Sequence, residues 1–167
     1  NFDRENKKLL PGFPFPKHLV VTTNGNEALL ESHFTVIAVP SKTFRSNIRE
    51  IRTNLNPSTV IISATKGLEL DSGFRMSEVI EQELDPPLNA RICILSGPNL
   101  STEIADGVPA LTVLASNDTA LANAAQSALM TDNFRIYTNA DVIGVELAGS
   151  LKNIVAIGAG ICDGLGY

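Results

Sequence analysis

The sequence predicts an α/β fold in which helices cover both faces of a mostly parallel sheet. Short apolar runs alternate with segments of helical periodicity along nearly the whole chain, a pattern typical of βαβ units. Several runs, among them FTVIAVP at 34–40, are apolar at nearly every position, which indicates strands buried on both faces. The chain has 167 residues, of which 44% are apolar and 19% charged, and can therefore bury a substantial core.

The predicted elements follow one another in a regular order. The strands are HLVVT (18–22), FTVIAVP (34–40), STVIISAT (58–65), ARICILSG (90–97), ALTVLAS (110–116) and FRIYT (134–138). Helical spacing is found at 26–32, 42–55 and 76–84, briefly within 98–107, then at 117–130 and in a long segment after 139. Asn117 is the predicted N-cap of the alanine-rich helix, and Asn139 or Asp141 that of the last helix.

Composition argues against several classes of partner. The net charge is −5 and no long basic run is present, so we expect neither nucleic acid nor an anionic membrane as a partner. No stretch is expected to reach the roughly 20 apolar residues of a membrane span. The most apolar segment, 147–161, contains Lys152 and several glycines and is interpreted as a buried helix.

The cysteines and histidines give no sign of a metal site or a disulfide framework. Cys93 and Cys162 lie far apart in the sequence, and His18 and His33 are isolated. Cys93 is interpreted as a buried free thiol because it lies within an apolar strand. This cysteine usage fits a reducing, cytoplasmic compartment.

Lys152 is the only cation in GSLKNIVAIGAGICDGLG, residues 149–166. On a helix it shares a face with small and apolar residues, namely Val145, Ala148, Gly149, Val155, Ala156 and Ala159. Burial would lower the pKa of its amine, which could then exchange a proton with an alcohol or a carbonyl. The alternative is a lysine that serves only as buried scaffolding.

Three loops follow predicted strands and bring further candidate groups to one edge of the sheet: AVPS (38–41), ATKGLE (64–69) and SGPN (96–99). Each could be an ordinary turn, and Lys66 a solvated lysine. Together they predict an anion site for a phosphorylated substrate at the carboxyl ends of the strands. No G-x-G-x-x-G follows a first strand, although this is the usual pyrophosphate grip of a dinucleotide fold.

Longer passages carry a resemblance to a known family. NKKLLPG (6–12), AVPS, ATKGLE, SGPNLSTEIADGVP (96–109) and the segment 134–166 closely resemble the NAD(P)-dependent glycerol-3-phosphate dehydrogenases, in the same order and over essentially the whole chain. GSLKNIVAIGAG resembles the family's signature around its catalytic lysine. The resemblance implies an oxidoreductase that interconverts sn-glycerol 3-phosphate and dihydroxyacetone phosphate with NAD or NADP, and that supplies precursors of glycerophospholipids.

The resemblance also implies roles for individual residues. Lys152 would be the catalytic proton acceptor, and Lys66, Gly97, Asn99 and Asn153 would bind the substrate. The cofactor would be bound by Lys66, Ser101 and Pro40. Asn99 stands where the family usually has serine or threonine, and Ser150 where it has alanine or threonine. No metal is implied.

The resemblance further implies that the chain is an internal fragment of such an enzyme. Residues 1–139 would form a Rossmann-like parallel sheet without its first βαβ unit, as part of an NAD(P)-binding domain, and 140–167 would begin an all-helical substrate domain. We expect the fragment alone to be inactive, with an exposed apolar sheet edge, and the full-length enzyme to form a homodimer. The choice between NAD and NADP is expected to be made near or before Asn1 and Arg4.

Two other functions stay open on the sequence. The absent pyrophosphate loop would suit a non-catalytic, truncated homologue that only associates with partners. Sister families share the lysine-on-helix layout, so a dehydrogenase of another 2-hydroxy or keto acid is the third hypothesis.

Overall fold

The structure is a computed structural model that describes residues 4–167. Its strands are β1 (Glu5–Asn6), β2 (Leu10–Pro14), β3 (Phe34–Ile37), β4 (Val60–Ser63), β5 (Ile92–Ser96), β6 (Ala110–Ala115) and β7 (Phe134–Asn139). Its helices are α1 (Gly25–Leu29), α2 (Ser41–Ile51), α3 (Met76–Glu83), α4 (Ser101–Ala105), α5 (Thr119–Leu129) and α6 (Val142–Leu165). A short 3₁₀ turn, Leu88–Ala90, precedes β5.

The main sheet has the strand order β3-β4-β5-β6-β7 and is mostly, but not wholly, parallel. Neighbouring strands are parallel except β5 and β6, which are antiparallel and pair Ser96 with Val113. The exception follows from the connection between them. A parallel return requires a crossover that spans the sheet, whereas α4 has five residues and packs near β2.

The prediction of a strand at 18–22 is wrong. These residues form no strand, and Leu19, Val20 and Val21 are exposed. The Arg4 guanidinium donates to the carbonyl oxygens of Pro16 and Leu19, so the start of the segment is bonded to Arg4 and not to a neighbouring strand. The preceding residues form the antiparallel hairpin β1–β2, which the sequence did not predict.

The core lies on both faces of the sheet, and β4 divides it. Every residue of β4 is buried, as its continuous apolar sequence predicted. Ile61 packs on one face with Phe44, Ile48 and Ile80, whereas Val60 and Ile62 pack on the other with Leu114 and Ile136. Cys93 is a buried free thiol, and burial raises its pKa. These two layers fix the carboxyl ends of β3, β4 and β5 at one edge.

The long helix α6 begins on the sheet and then leaves it. Asp141 is its N-cap, because its side chain accepts a hydrogen bond from the amide of Gly144 at 2.8 Å. Val142 is buried against Ile94 and Ala115. From Leu151 onward every residue is exposed, with Ile154 at 66%. The expectation of a buried helix is therefore wrong for this part of α6, since none of residues 4–150 covers it.

Among the described residues, α6 is the one helix long and apolar enough to cross a membrane by length and composition. The expectation that no segment reaches this length was too strict, because the few charged residues of α6 leave it apolar on average. Length and composition alone are weak evidence for a membrane span. The predicted domain boundary at 139/140 falls between the end of β7 and the start of α6.

An ion-pair cluster ties α2 and α3 to the loop that follows β4. Arg45 on α2 donates two hydrogen bonds to Glu69 in the loop, at 2.7 and 2.8 Å, and one to Glu83 on α3 at 2.5 Å. Arg49 binds the same Glu83 carboxylate at 2.8 and 2.9 Å. Hydrogen bonds from the guanidinium groups hold the pKa of both Glu69 and Glu83 at about 2. The cluster therefore anchors the loop through charge-assisted bonds.

The N-cap of α5 is Asp118, not Asn117 as predicted. The Asp118 carboxylate accepts hydrogen bonds from the amides of Ala120 at 2.8 Å and Leu121 at 3.3 Å. We expect Asp118→Ala to lower the free energy of unfolding by about 1 kcal/mol, because it leaves two amides without their partner. Asn117→Ala should change it by less than about 0.5 kcal/mol. Urea denaturation of both variants measures the difference, and equal losses would contradict the assignment.

The Arg45 cluster predicts a specific dependence of stability on acid. The pKa of Glu69 and Glu83 is about 2 in the folded protein, against about 4.3 in the unfolded chain. Their stabilisation is therefore complete above the unfolded pKa and is lost as the pH falls through the folded pKa. Arg45→Met removes hydrogen bonds that lower these two pKa values, so the folded and unfolded pKa values should differ less. We therefore expect a lower free energy of unfolding at neutral pH, and a flatter decline of that free energy between about pH 4.5 and 2.5.

The control for this acid profile is Arg52→Met, which removes an exposed arginine at the end of the same helix. Urea unfolding at a series of pH values provides the comparison. Parallel curves for the wild type and Arg45→Met would contradict the role of the cluster, whereas Arg52→Met should follow the wild type.

Candidate functional site

A crevice of about 270 Å³ lies between the start of α6 and the loop that follows β5. α6 contributes Lys152, Val145, Ala148 and Gly149, and the opposite wall consists of Ser96, Gly97, Pro98 and Val113. The helical face predicted for Lys152 is thus correct for its N-terminal half. Its other members, Val155, Ala156 and Ala159, are exposed and lie outside the crevice.

Gly149 allows α6 to approach the end of β5 very closely. A Cβ atom at Gly149 would clash with the Ser96 hydroxyl oxygen and would lie 4.0 Å from Cγ of Lys66. A side chain at this position would therefore force the Ser96 hydroxyl group to turn away, whereas the Ser96 Cβ, at 3.5 Å, would be in ordinary contact. This contact places Lys152, one turn further along α6, beside the loops at the carboxyl edge of the sheet.

Gly97 is required by the neighbouring strand, independently of any ligand. A Cβ atom at this position would lie 2.9 Å from the Cα of Thr112 and 3.0 Å from the carbonyl oxygen of Leu111. Both atoms belong to the backbone, which cannot move aside as a flexible side chain can. The close packing of β5 on β6 therefore explains this glycine.

Lys66, in the loop after β4, is bonded to a residue of the crevice wall. Its amine donates a hydrogen bond of 2.7 Å to the carbonyl oxygen of Gly97. Desolvation lowers the pKa of Lys66, and the positive charge of Lys152 lowers it further. The sequence predicted a desolvated amine at Lys152, but that side chain is exposed in the described residues. The prediction was wrong because the second half of α6 has no covering layer here.

Thr65 holds the loop of Lys66 in place, and the sequence did not single it out. Its hydroxyl group accepts from the amide of Val39 at 3.2 Å and donates to the carbonyl oxygen of Val39 at 2.8 Å. In the same loop, Gly67 has a φ angle of +106°, a backbone conformation that favours glycine. This glycine also lies against Ser41. The sequence could have pointed to Thr65, because it is a hydroxyl-bearing residue just after a buried strand.

The other predicted site residues occupy different surroundings. The Asn99 side-chain nitrogen donates to the Thr112 hydroxyl at 3.1 Å, and its buried Oδ1 has no partner among the described residues. Asn153 is exposed and follows Lys152 on α6 but does not line the crevice. Ser101, the first residue of α4, and Pro40, the residue before α2, are also exposed.

Two further expectations concern the terminus and metals. Asn1 lies outside the described residues, and the Arg4 guanidinium binds carbonyl groups of the 16–19 turn. Within residues 4–167, no three histidine, cysteine, aspartate or glutamate side chains are grouped so that they could hold a metal ion.

The chain matches two family models. Residues 1–122 match the N-terminal part of NAD-dependent glycerol-3-phosphate dehydrogenase, and residues 141–167 match its C-terminal part. Among curated relatives, a glycerol-3-phosphate dehydrogenase [NAD(P)+] of Dehalococcoides mccartyi is 48% identical over 92% of this chain and 43% of its own length. That of Thermobifida fusca is 44% identical over the whole chain and 49% of its own length.

A solved structure is similar as well. The crystal structure of glycerol-3-phosphate dehydrogenase from Coxiella burnetii superposes with a TM-score of 0.86 at 36% identity, and the match covers 98% of this chain and 49% of that one. The chain spans about half the length of the curated relatives it matches. With two family models covering most of its residues and several relatives above 40% identity, the chain belongs to the NAD-dependent glycerol-3-phosphate dehydrogenase family.

Proposed function

We propose that the protein carrying this chain interconverts sn-glycerol 3-phosphate and dihydroxyacetone phosphate with NAD or NADP. The observation that carries the proposal is that Lys152 lines a crevice at the carboxyl edge of the sheet, and that Gly97 in the wall of this crevice accepts a hydrogen bond from the Lys66 amine. In open α/β sheets this edge is where ligands bind. The family to which the chain belongs performs this reaction.

The described residues fit one end of a nicotinamide cofactor. The crevice offers an apolar wall from Val145, Ala148 and Val113. Asn99, the residue after Pro98 of the opposite wall, has a buried Oδ1 that accepts no hydrogen bond from the described residues. Lys66 and the exposed Ser101 are the chain's candidates for holding the cofactor, together with Pro40. The sequence has no G-x-G-x-x-G loop after a strand, so the pyrophosphate would be held elsewhere.

Lys152 is proposed to move the proton of the reaction. Oxidation of a secondary alcohol to a ketone removes a hydride from carbon and a proton from oxygen. A bound nicotinamide cofactor supplies the hydride chemistry. The Lys152 amine accepts the hydroxyl proton during oxidation and returns it to the carbonyl oxygen during reduction, as a positioned general base and acid.

Lys66 is proposed to bind the substrate at the same crevice. The chain as a whole is acidic, with a net charge of −5, yet two amines meet here, and their charges attract a phosphate group. The Lys66 amine is oriented by the carbonyl oxygen of Gly97. Gly97 lines the crevice. Asn99, two residues after Gly97, and Asn153, beside Lys152, are the further residues proposed to bind the substrate.

The remaining features of the proposal concern the whole protein. Because the chain spans about half the length of its relatives and leaves an apolar helix exposed, we propose that further residues complete the site and cover α6. The 167-residue chain alone is then inactive. The complete protein is proposed to be a cytoplasmic homodimer that provides glycerol 3-phosphate for phospholipid synthesis, with residues 1–139 in its cofactor domain and 140–167 in its substrate domain.

The test is the rate of NADH or NADPH oxidation with dihydroxyacetone phosphate, measured on the protein expressed from the complete gene. We expect a substrate-dependent rate in the wild type. Lys152→Ala should lower kcat by about 10² to 10⁴-fold, because it removes the proton-transfer group. Lys17→Ala, which removes an exposed lysine in the 16–19 turn, is the matched control and should keep the wild-type rate.

The outcomes separate the competing functions. A folded wild type with no activity would contradict the proposal and favour a non-catalytic homologue. An equal or faster rate with an unphosphorylated 2-keto acid would favour a dehydrogenase of that class instead. An unchanged kcat in Lys152→Ala would contradict the role of this lysine.

A further inference from the structure

Glu146 is a buried carboxylate that the proposed chemistry does not use. It lies on α6 and is 8% exposed. Its Oε1 accepts from the Ser77 amide at 2.8 Å, and its Oε2 accepts from the Ser77 hydroxyl at 2.5 Å and from Nη1 of Arg75 at 2.9 Å. A buried charge is strongly disfavoured unless it is paired and hydrogen-bonded, so this complete set of donors is what allows Glu146 to be buried.

These bonds join α6 to the first turn of α3, about 70 residues earlier in the chain. The amides at the start of a helix lack intrahelical partners and carry a partial positive charge. The residue before α3, Arg75, provides no side-chain cap bond of the usual kind, and its backbone amide is bound by Glu78. Glu146 therefore caps α3 from another element, and the contact fixes where α6 lies and how it is rotated.

The same contact reaches the loop of Lys66. Arg75 forms an isolated antiparallel bridge with Leu68, and the amide of Glu69 donates to the carbonyl oxygen of Phe74 at 2.9 Å. Arg75 therefore lies at the end of the loop that begins near Lys66. Glu146 lies six residues before Lys152, which is about 9 Å along the helix axis and on a different face.

The Glu146, Ser77 and Arg75 contacts hold the helix that carries Lys152, and the backbone of Phe74 and Arg75 is in turn bonded to the loop that carries Lys66. We propose that Glu146, through Ser77 and Arg75, is a positioning residue that sets the distance between these two lysines across the crevice. Buried ion pairs contribute little net stability compared with apolar packing but can specify geometry. The expected effect of Glu146 on kcat rests on the proposed function, whereas its effect on the position of α6 does not.

The close contact at Gly149 provides a readout of position that needs no activity. The ideal Cβ of Gly149 lies 3.5 Å from the Cβ of Ser96, a separation at which disulfides form. The pair Ser96→Cys and Gly149→Cys, with Cys162→Ala to remove the exposed native thiol, reports how often α6 occupies its place on β5. The rate of disulfide formation with an oxidised dithiol is the measured quantity.

The experiment compares Glu146→Gln with Glu50→Gln in the protein expressed from the complete gene. Glu50 is an exposed glutamate on α2, and its variant should behave like the wild type. We expect Glu146→Gln to remain folded by circular dichroism and to lower kcat by about 10 to 100-fold, because small displacements of a catalytic group have large effects on rate. KM should change much less. The disulfide between the two introduced thiols, measured in the same background, should form several-fold more slowly.

A kcat within threefold of the wild type, or an unchanged cross-linking rate, would overturn the inference. If the wild type has no dehydrogenase activity, the proposed function fails, and the cross-linking rate alone decides whether Glu146 positions the helix. If Glu146→Gln does not fold, Ser77→Ala removes the shortest of the bonds while keeping the ion pair, and the same two readouts should change in the same direction to a smaller extent.

Discussion

The close packing of α6 on the end of β5 is the constraint on which the crevice depends. It is possible because Gly149 has no side chain where the Ser96 hydroxyl lies. One turn later the helix presents Lys152 to loops whose positions are set by the buried sheet. The apolar cores on the two faces of β4 therefore act on the site indirectly, since they fix the strand ends against which the helix packs.

Polar contacts supply the finer positioning. Thr65 joins the loops after β3 and β4, and the Arg45 cluster anchors the distal part of the Lys66 loop to two helices. Each of these contacts links elements that are remote in sequence. The result is a pair of amines brought together on an acidic chain, an arrangement with an electrostatic cost that a phosphorylated ligand would offset.

Sequence reasoning recovered the features that depend on local pattern. The buried strands, the helix periodicity and the face of α6 beside Lys152 follow from the order of apolar residues, and the structure has them. It failed where the outcome depends on what lies next to a segment. The run at 18–22 has strand-like composition but no strand beside it in residues 4–167. β6 runs antiparallel to β5 because α4 is too short for a crossover. The N-cap of α5 is Asp118 instead of the neighbouring Asn117, a difference of one residue. Lys152 is exposed because none of residues 4–150 covers this part of α6, and periodicity does not reveal what packs on a helix face.

The most direct measurement is the pKa of Lys66, followed by NMR of labelled lysine side chains in the wild type and in Lys152→Met. Burial and the charge of Lys152 lower this pKa in the structure, so Lys66 should titrate below the ordinary value of about 10.4. Removing the Lys152 charge should raise the pKa of Lys66 toward that value. The same pKa in both proteins would mean that the Lys152 charge does not act on Lys66, and would contradict the proximity of the two amines in the site described for this chain.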